Sequence, residues 1–387
     1  MIRALTFLFA FSLPATAQVA QGPKNVPEFA PAFENQTRAP DIGGDMAFNV
    51  TPVATGLVHP WGLAILPDGG FLVTERVGRF NHVSASGQKT EITGLPEIAV
   101  RGQGGLLDVA AADDFTTSRR VFLTFAAPAG RGQATTAVSA ILSADNSRLT
   151  DVREIFVQRP AVSSGQHFGS RIVIDGAQAY ITIGDRGTPE TAQNLSATIG
   201  KVVRVGLDGD IPGSNPFAQD SDALNDIWSY GHRNPQGAAL HPGTGDLWAL
   251  EHGPKGGDEL NRVEAGANYG WPVISYGENY NGSPVQAGRT AAEGMEQPRY
   301  YWDPVIAPGD FTFYQGDLFA GWEGDVIAAS LRPGGLVRLT MDGDRVTGEA
   351  RYLGELGRVR DVDVDRDGSL LVLTDDPNGG LFRITPR

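Results

Sequence analysis

Short apolar runs alternate with polar residues along most of the chain, and turns rich in Pro, Asp and Gly separate the runs. Near the C-terminus, for example, Val362 and Val364 alternate with Asp361, Asp363 and Asp365. A period of two residues is that of a β-strand whose two faces differ. The pattern therefore predicts strands throughout, and it predicts that these three aspartates face outward.

The strands group into a unit that recurs: an apolar run, a turn, a second apolar run, another turn and a third run. Its copies lie at 61–83, 105–126, 170–187, 237–253, 316–339 and 360–384. One copy is too small to bury its own faces, so neighbouring copies must stack around an axis. About six units of this kind predict an all-β fold, a six-bladed β-propeller. Because propellers usually close by pairing their terminal strands, we expect Asn49–Gly56 to join the blade that ends at Arg387.

The first 47 residues do not follow this pattern. Residues 1–20 contain an early Arg3, an apolar run and then small residues, which is typical of a signal peptide cleaved after about residue 17 to 20. Residues 21–47 are rich in Pro, Ala, Gln and Asn and are predicted to form a flexible arm. The propeller domain is expected over 48–387. A periplasmic or secreted protein without a membrane span follows from these features.

Composition and charge exclude several classes of function. The chain has no cysteine, which excludes disulfides, thiolate zinc sites and covalent c-type haem. Its formal net charge of -14 argues against a nucleic-acid partner. Nucleotide-binding, nicotinamide-binding and serine-hydrolase motifs are missing. The segment 363–368 opens like a calcium-binding EF-hand loop, but Thr374 stands where that loop needs a glutamate, so a strand and a turn are predicted there.

The functional side chains of a propeller lie in loops at one end of its channel. Three loops of this kind contain candidates for ligand binding and for acid–base chemistry. Gln103 is flanked by glycines in RGQGGLLD, so its amide can approach a planar ligand closely. His167 lies in SSGQHFGSR, and Asp185 follows the next strand in GDRG. Histidine suits a general base because it titrates near neutral pH, and the aspartate could orient it. The alternatives are an ordinary turn and a solvated loop histidine.

Two further loops offer a fixed cation and a metal site. Arg233 and Asn234 precede a proline in SYGHRNPQG, which restricts the backbone and presents a cation and an amide together. The glycine-rich loop EHGPKGGDELN contains Gly253 and Pro254, whose carbonyls could bind a hard cation such as calcium. The acidic residues of this loop could equally be ordinary surface charges.

Three arginines near the C-terminus suggest an anionic ligand. Arg332 lies in SLRPGG, while Arg358 and Arg360 lie at strand spacing in GRVRDV, so the last two project from one face. Neighbouring arginines repel each other, and a ligand with several carboxylates would explain their convergence. Surface salt bridges to nearby aspartates are the alternative.

Taken in order, these loops resemble the glucose/sorbosone dehydrogenase family, the quinoprotein aldose sugar dehydrogenases. The resemblance rests on RGQGGLLD, GQHFGSR, TIGDRG, YGHRNPQG, EHGPKGGDELN, NYGWP, GRVRDV and the closing DGSLLVLTDD, and it extends from about Asn49 to Arg387. It implies a six-bladed propeller that holds pyrroloquinoline quinone (PQQ) and calcium at the channel mouth. The implied reaction oxidises the C1 hydroxyl of an aldose to the lactone, with hydride passing to the quinone.

The resemblance also implies residue roles. His167 would be the general base, Asp185 would orient it, and Arg233 would lie near the quinone oxygen that gains negative charge. The implied cofactor contacts are Gln103, His167, Arg233, Asn234, Arg332, Arg358 and Arg360, and the implied calcium ligands are the carbonyls of Gly253 and Pro254. Some members of the family carry Lys where Arg332 stands. The loops Tyr276–Gly282 and Pro304–Phe313 are variable in such proteins and are expected to face the sugar.

The expected partners are an aldose and a diffusible electron acceptor, and the chain is expected to be a monomer or a homodimer. Two other functions stay open: a calcium-dependent propeller lactonase or hydrolase, and a non-catalytic binding propeller. The metal of such hydrolases needs carboxylate and asparagine ligands, whereas the candidates in this chain are mostly cationic.

Overall fold

The computed structural model describes residues 17–44 and 46–387, so most of the predicted signal peptide lies outside the described residues. Within the described ranges, 24 strands form six four-stranded antiparallel sheets, and the only helices are a short α-helix at Phe115–Ser118 and two 3₁₀ turns at Pro189–Gln193 and Gly354–Leu356. The prediction of an all-β six-bladed propeller is confirmed.

Blades 1 to 3 follow one another along the chain, after a first strand that joins the last blade. That first strand is β1 (Phe48–Leu57), and blade 1 contains β2 (Pro60–Ile65), β3 (Phe71–Glu75), β4 (Arg79–Val83) and β5 (Lys89–Glu91). Blade 2 contains β6 (Leu106–Ala111), β7 (Arg120–Ala129), β8 (Gly132–Leu142) and β9 (Leu149–Val157). Blade 3 contains β10 (Ile172–Asp175), β11 (Gln178–Ile183), β12 (Lys201–Gly206) and β13 (Ile227–Tyr230).

The remaining three blades complete the ring. Blade 4 contains β14 (Pro235–Leu240), β15 (Leu247–Glu251), β16 (Asp258–Arg262) and β17 (Tyr300–Trp302). Blade 5 contains β18 (Pro308–Phe313), β19 (Val326–Ser330), β20 (Leu336–Asp342) and β21 (Arg345–Tyr352). Blade 6 contains β22 (Val359–Val364), β23 (Leu370–Thr374), β24 (Gly379–Pro386) and β1.

The ring closes between the first and last strands. Strand β1 pairs antiparallel with β24 from Phe48 opposite Pro386 to Leu57 opposite Gly379. The expected pairing of Asn49–Gly56 with the last blade is therefore confirmed. This pairing ties the two ends of the propeller domain into one sheet.

The apolar faces of the blades are buried against one another. One core cluster joins Leu72 and Phe80 of blade 1 to Leu106, Leu123 and Phe125 of blade 2, and similar clusters lie between the other blades. Burying such side chains stabilises the fold by about 1.5–3 kcal/mol for each one. The stacking that the small repeat requires is thus provided by the neighbouring blade.

The first strand of each blade lies innermost, at the central channel, and the second strand runs antiparallel beside it. The loops that enter the innermost strands and the loops that leave the second strands consequently meet at one end of the channel. Gln103, His167 and Asn234 lie in loops of the first kind, and Asp185 and Gly253 lie in loops of the second kind. This topology brings distant sequence motifs together.

The boundary of one predicted repeat is wrong. The copy at 316–339 contains only β19 and β20, while the innermost strand of blade 5 is β18, which covers most of the expected sugar-facing loop Pro304–Phe313. Strand β18 begins with Pro308 and Gly309, a pair of residues that is typical of a turn. A Cβ atom added to Gly309 would lie 2.2 Å from the carbonyl oxygen of Arg360, so this glycine allows the close approach of two innermost strands. Only residues 304–307 form a loop.

The prediction that Asp361 faces outward is also wrong. This side chain is buried and accepts hydrogen bonds from the backbone N–H of Leu63 (3.0 Å) and from Arg171 (3.2 Å). Asp363 and Asp365 are partly buried. The reason is that β22 is an innermost strand, so its polar face meets the channel and the neighbouring blades instead of outer solvent.

The arm that composition marks as flexible packs against the propeller where the structure describes it. Gln36 and Ala39 are fully buried, and the Gln36 carbonyl accepts a hydrogen bond from the N–H of Tyr301 in β17 (2.8 Å). The N–H of Ile42 donates to Glu349 in β21 (3.0 Å). The arm therefore lies along the outer strands of blades 4 and 5. In the same described residues, no helix is long and apolar enough to cross a membrane.

Candidate active site

A cavity of about 780 Å³ opens at the end of the channel where these loops meet. Its size is typical of pockets that bind small ligands. Every predicted site residue except Asp185 lines it: Gln103, His167, Arg233, Asn234, Gly253, Pro254, Arg332, Arg358 and Arg360. The structure thus gathers motifs that are separated by more than half the chain.

Asp185 lies directly behind His167. The Nδ1 atom of His167 is 2.7 Å from Oδ1 of Asp185, and the histidine side chain is 15% exposed whereas the aspartate is 1% exposed. A carboxylate only accepts hydrogen bonds, so Nδ1–H donates and the Nε2 lone pair is left to accept a proton. The pair has the arrangement of a general base with its orienting carboxylate.

Other contacts fix Asp185 in its ionised form. Its Oδ2 accepts from Trp271 Nε1 (2.8 Å), and its Oδ1 also accepts from the N–H of Gly187 (2.7 Å). Burial raises the pKa of Asp185, but the hydrogen bond and charge of His167, followed by the charge of Arg233, outweigh burial and lower the pKa overall. The carboxylate therefore stays charged opposite the imidazole.

The backbone around His167 is held in an uncommon conformation. His167 has φ = 54°, and its N–H donates to Oε1 of Gln103 (2.7 Å). A Cβ on Gly184 would lie 2.1 Å from the His167 carbonyl oxygen, so only glycine fits beside it. A non-glycine residue in the left-handed region costs free energy and needs support from its surroundings. Gln103 supplies part of that support, a role that its glycine-flanked motif did not reveal.

Arg233 and Asn234 enter the cavity just before β14. Glu251 accepts from the N–H of Arg233 (2.7 Å), and Arg233 Nη1 donates to the carbonyl of His252 (3.0 Å). The guanidinium lies 5.3 Å from the ring centroid of Trp271. The buried Nε atom of Arg233 has no hydrogen-bond partner among the described residues. Asn234 accepts from the N–H of Gly169 (3.1 Å), which fixes its amide in the cavity wall.

Arg358 and Arg360 converge on a carboxylate that the sequence did not single out. Their Nη2 atoms lie 3.0 and 2.7 Å from the same oxygen of Asp375. Burial raises the pKa of Asp375, but the charge of Arg360, helped by hydrogen bonds, lowers it well below its usual range. Arg332 is exposed at the cavity and forms no ion pair with any residue in the ranges 17–44 and 46–387. These three arginines, with the single carboxylate, leave an excess of positive charge in a chain of net charge -14.

The loop residues Gly253–Gly256 line the cavity. Asp258 pins the loop, because its Oδ1 accepts from the N–H of Gly253 (2.8 Å) and its Oδ2 accepts from the N–H groups of Ile306 (2.9 Å) and Ala307 (2.7 Å). Burial raises the pKa of Asp258 to about 7. The carbonyls of Gly253 and Pro254 accept no hydrogen bond from the part of the chain that the structure describes. Both oxygens are therefore available to a cation.

No cluster of three or more acidic, histidine or cysteine side chains that could hold a metal occurs in the described ranges. A cation at this cavity would therefore depend mainly on backbone carbonyls. This donor set suits calcium, which binds oxygen ligands, and does not suit zinc.

Sequence reasoning missed several residues of the cavity wall. His252 is partly buried, and its pKa is lowered well below the usual value by loss of solvation and then by Arg360, so it is neutral and donates from Nε2 to Gln236 Oε1 (2.8 Å). The same Gln236 oxygen accepts from Arg360 (2.9 Å). Other lining residues that were missed include Asn25, Trp61, Arg76 and Asp375, whereas Tyr280 lies in the expected sugar-facing loop Tyr276–Gly282. Arg76 and Asp375 each directly follow the second strand of a blade, and this position in the repeat could have indicated them.

The chain is similar to known sugar dehydrogenases over most of its length. The family model described as Glucose / Sorbosone dehydrogenase matches residues 57–383. Aldose sugar dehydrogenase YliI of Escherichia coli is 43% identical over 345 residues, which cover 88% of this chain and 93% of that protein.

Two solved structures extend the comparison to three dimensions. The apo form of the soluble aldose sugar dehydrogenase from Escherichia coli superposes with a TM-score of 0.86 at 40% identity, covering 88% of this chain and 100% of that one. The PQQ-bound aldose sugar dehydrogenase from Streptomyces coelicolor has a TM-score of 0.74 at 27% identity, covering 89% and 100%. Together with the matching family model, these similarities show that the chain belongs to the glucose/sorbosone dehydrogenase family.

Proposed function

We propose that this protein is a PQQ-dependent aldose sugar dehydrogenase that oxidises the C1 hydroxyl of an aldose to the lactone. The observation that carries the proposal is the His167–Asp185 pair, which opens onto an arginine-lined cavity. The PQQ-bound relative supports the choice of cofactor.

The cavity fits a planar ligand with several carboxylates. Arg332, Arg358 and Arg360 supply positive charge on one side, and the buried Nε atoms of Arg233 and Arg360 have no partner within the described residues. Buried donors without partners are costly, and a bound anion would satisfy them. Gln103 and Asn234 add amide groups on the same wall. When bound, the quinone supplies the two-electron acceptor for the hydride that leaves C1.

In this proposal His167 removes the proton of the C1 hydroxyl. Asp185 holds Nδ1–H, so Nε2 accepts the proton and the resulting imidazolium is stabilised by the adjacent carboxylate. Proton removal at the hydroxyl oxygen accompanies loss of hydride from C1, which leaves the carbonyl carbon of the lactone. Arg233 provides a fixed cation for negative charge that develops in the cavity.

Calcium fits the carbonyls of Gly253 and Pro254, and we propose that they hold it. The loop is pinned by Asp258, so both oxygens are positioned before a cation arrives. A cation there would act as a Lewis acid toward an oxygen of the bound cofactor. Prolonged chelation should lower the activity of the holoenzyme, and added calcium should restore it. Activity that is indifferent to both treatments would refute this assignment.

The test of the function is an aldose-oxidation assay on the purified mature protein with an artificial electron acceptor. It is run with and without added PQQ and calcium, together with a spectral titration of the quinone. We expect oxidation that depends on added quinone. If a broad aldose panel gives no turnover and the quinone does not bind, a propeller hydrolase or a binding propeller becomes the better assignment.

We also propose that the protein acts outside the cytoplasm, because residues 1–20 have the pattern of a signal peptide. N-terminal sequencing of the protein from a periplasmic or culture fraction should begin at about residue 18 to 21. A cytoplasmic protein that keeps Met1 would contradict this.

A further inference from the structure

The N-terminal arm forms part of the cavity wall. Asn25 lines the cavity together with the loop Gly253–Gly256, although more than two hundred residues separate them. A Cβ atom on Gly256 would lie 3.5 Å from Asn25 Nδ2, so the arm and this loop are in contact. The arm is therefore both a cover of blade 4 and a part of the candidate active site.

Buried Asp303 fixes Asn25 in place. Its Oδ1 accepts from the N–H of Asn25 (2.9 Å) and from Asn25 Nδ2 (2.6 Å), and its Oδ2 accepts from the N–H of Val26 (3.0 Å). A carboxylate needs donors, which identifies the amide nitrogen as the atom that faces Asp303. The amide oxygen Oδ1 of Asn25 accepts no hydrogen bond from residues 17–44 or 46–387.

The rest of the arm is anchored independently of Asn25. Buried Gln36 donates from Nε2 to the carbonyl of Pro298 (2.9 Å) and accepts from the N–H of Ala32 (2.6 Å). The hydroxyl of Tyr300 accepts from the N–H of Ala39 (3.0 Å). A change at Asn25 that keeps the backbone donors should therefore leave the arm docked.

The wall around Asn25 differs in charge from the arginine side of the cavity. Pro304, which follows the Asp303 that holds Asn25, and Tyr280 line the same cavity, and Tyr280 is 75% exposed, the highest exposure among the large hydrophobic residues described. The charge of Lys255 is balanced by Glu278 at 2.6 Å. A nearly neutral wall with a free amide oxygen and an aromatic ring suits a neutral polyhydroxylated ligand.

We propose that Asn25 binds a sugar hydroxyl through its Oδ1, so that the N-terminal arm supplies a specificity-determining residue of the substrate site. This inference rests on the proposed aldose oxidation. The arm lies outside the repeats of the propeller, so the repeat pattern does not predict this role.

The test is Asn25→Ala in the full mature chain. The N–H groups of Asn25 and Val26 remain, so the arm stays on Asp303. We expect KM for glucose to rise about threefold to tenfold, as for the loss of one hydrogen bond, with kcat and the quinone affinity nearly unchanged. The matched control is Glu28→Ala, an exposed arm residue outside the cavity wall.

Deoxy sugars separate substrate binding from a structural role. With 2-, 3-, 4- and 6-deoxyglucose, the unsubstituted enzyme should discriminate against the analogue that lacks the bound hydroxyl. Asn25→Ala should lose that discrimination for the same analogue only, because the variant lacks the amide oxygen that binds this hydroxyl. Unchanged ratios for all four sugars, or a changed quinone affinity with an unchanged KM, would overturn the proposal.

A direct binding measurement keeps this result distinct from failure of the proposed function. Saturation-transfer NMR of glucose with the cofactor-free protein should show binding that weakens in Asn25→Ala and not in Glu28→Ala. Quinone binding without any aldose turnover by the unsubstituted protein would reject the oxidation reaction. Glucose binding that is equal in all three proteins would reject the role of Asn25.

Discussion

Two charge clusters along the channel have opposite compositions. The aspartate cluster consists of Arg171 surrounded by Asp108 (2.7 Å), Asp310 (3.2 Å) and Asp361 (3.2 Å), and all four side chains are at most 12% exposed. The arginine cluster consists of Arg332, Arg358 and Arg360 with the single Asp375. In the first cluster acids outnumber the base, and in the second the bases outnumber the acid.

The sign of the excess charge, together with the exposure of Arg332 and Arg358, explains why one cluster is structural and the other is suited to a ligand. The aspartate cluster ties together the innermost strands of blades 2, 5 and 6, and Arg171 also stacks on Trp61 at 4.6 Å. Burial raises the pKa of Asp310 well above its usual value and that of Asp108 to about 6, so protonation of Asp310 relieves part of the excess of acid. Arginine cannot give up its charge in this way. An excess of arginine at an open cavity therefore indicates an anion that comes from outside.

The largest effect should come from the cavity end. We expect His167→Ala to reduce kcat by about 10²- to 10⁴-fold, the usual contribution of a general base, while the quinone still binds. Steady-state kinetics and a spectral titration of the quinone measure the two quantities. His241→Ala, a histidine outside the cavity wall, is the control. Near-normal turnover of His167→Ala would remove His167 from the mechanism.

Arg171→Met should mainly affect stability. The change leaves three buried aspartates without their cation, and breaking a buried ion pair typically costs about 3–5 kcal/mol. We expect a lower free energy of unfolding in a denaturant titration and a quinone affinity close to normal in the fraction that stays folded. A large loss of affinity with unchanged stability would mean that the two clusters have been assigned the wrong roles.

Arg358→Ala combined with Arg360→Ala should show the opposite behaviour. We expect the quinone Kd to rise about 100-fold, since charge-assisted hydrogen bonds contribute about 1.5–3 kcal/mol each and Arg358 is half exposed. The thermal unfolding midpoint should fall less than in Arg171→Met, because buried Asp375 keeps its contact with His59 (2.8 Å). Arg153→Ala removes an exposed arginine with 62% side-chain exposure and serves as the control. An unchanged titration curve would support the alternative that the two arginines only form salt bridges with nearby aspartates.

The smallest expected effect is a pH dependence at Asp363, beside the aspartate cluster. Burial, followed by the charges of Asp361 and Asp365, raises its pKa to about 7. Its folded form therefore holds a proton that the unfolded form releases at about pH 4, so this group lowers the free energy of unfolding as pH rises from about 4 to 7. Asp363→Asn should raise the stability at pH 7 by about 1–2 kcal/mol and flatten this part of the profile. An identical profile for both proteins would contradict the shift.

The sequence predicted the blade number and the ring closure because both depend on local periodicity. Residues at or beside the cavity were predicted where a sequence motif carried them, as for His167, Asp185 and Arg360. Gln236, which a strand irregularity places in the wall, was missed. Register shifts in β14 and β22 fall at Gln236 and Arg360, and the two side chains meet there at 2.9 Å. A β-bulge changes the direction of one side chain, and the alternation of polar and apolar residues cannot predict where a bulge occurs.

By itself the sequence determined which segments are strands, that they repeat, and which loops carry chemical groups, because these properties depend on neighbours along the chain. Only the tertiary structure decided that Asp361 faces Arg171, that Pro308–Phe313 is an innermost strand, and that Asn25 of the arm reaches the cavity. These outcomes depend on contacts between residues far apart in sequence. Burial and charge at such contacts are set by the closed ring of blades, and no single segment contains that information.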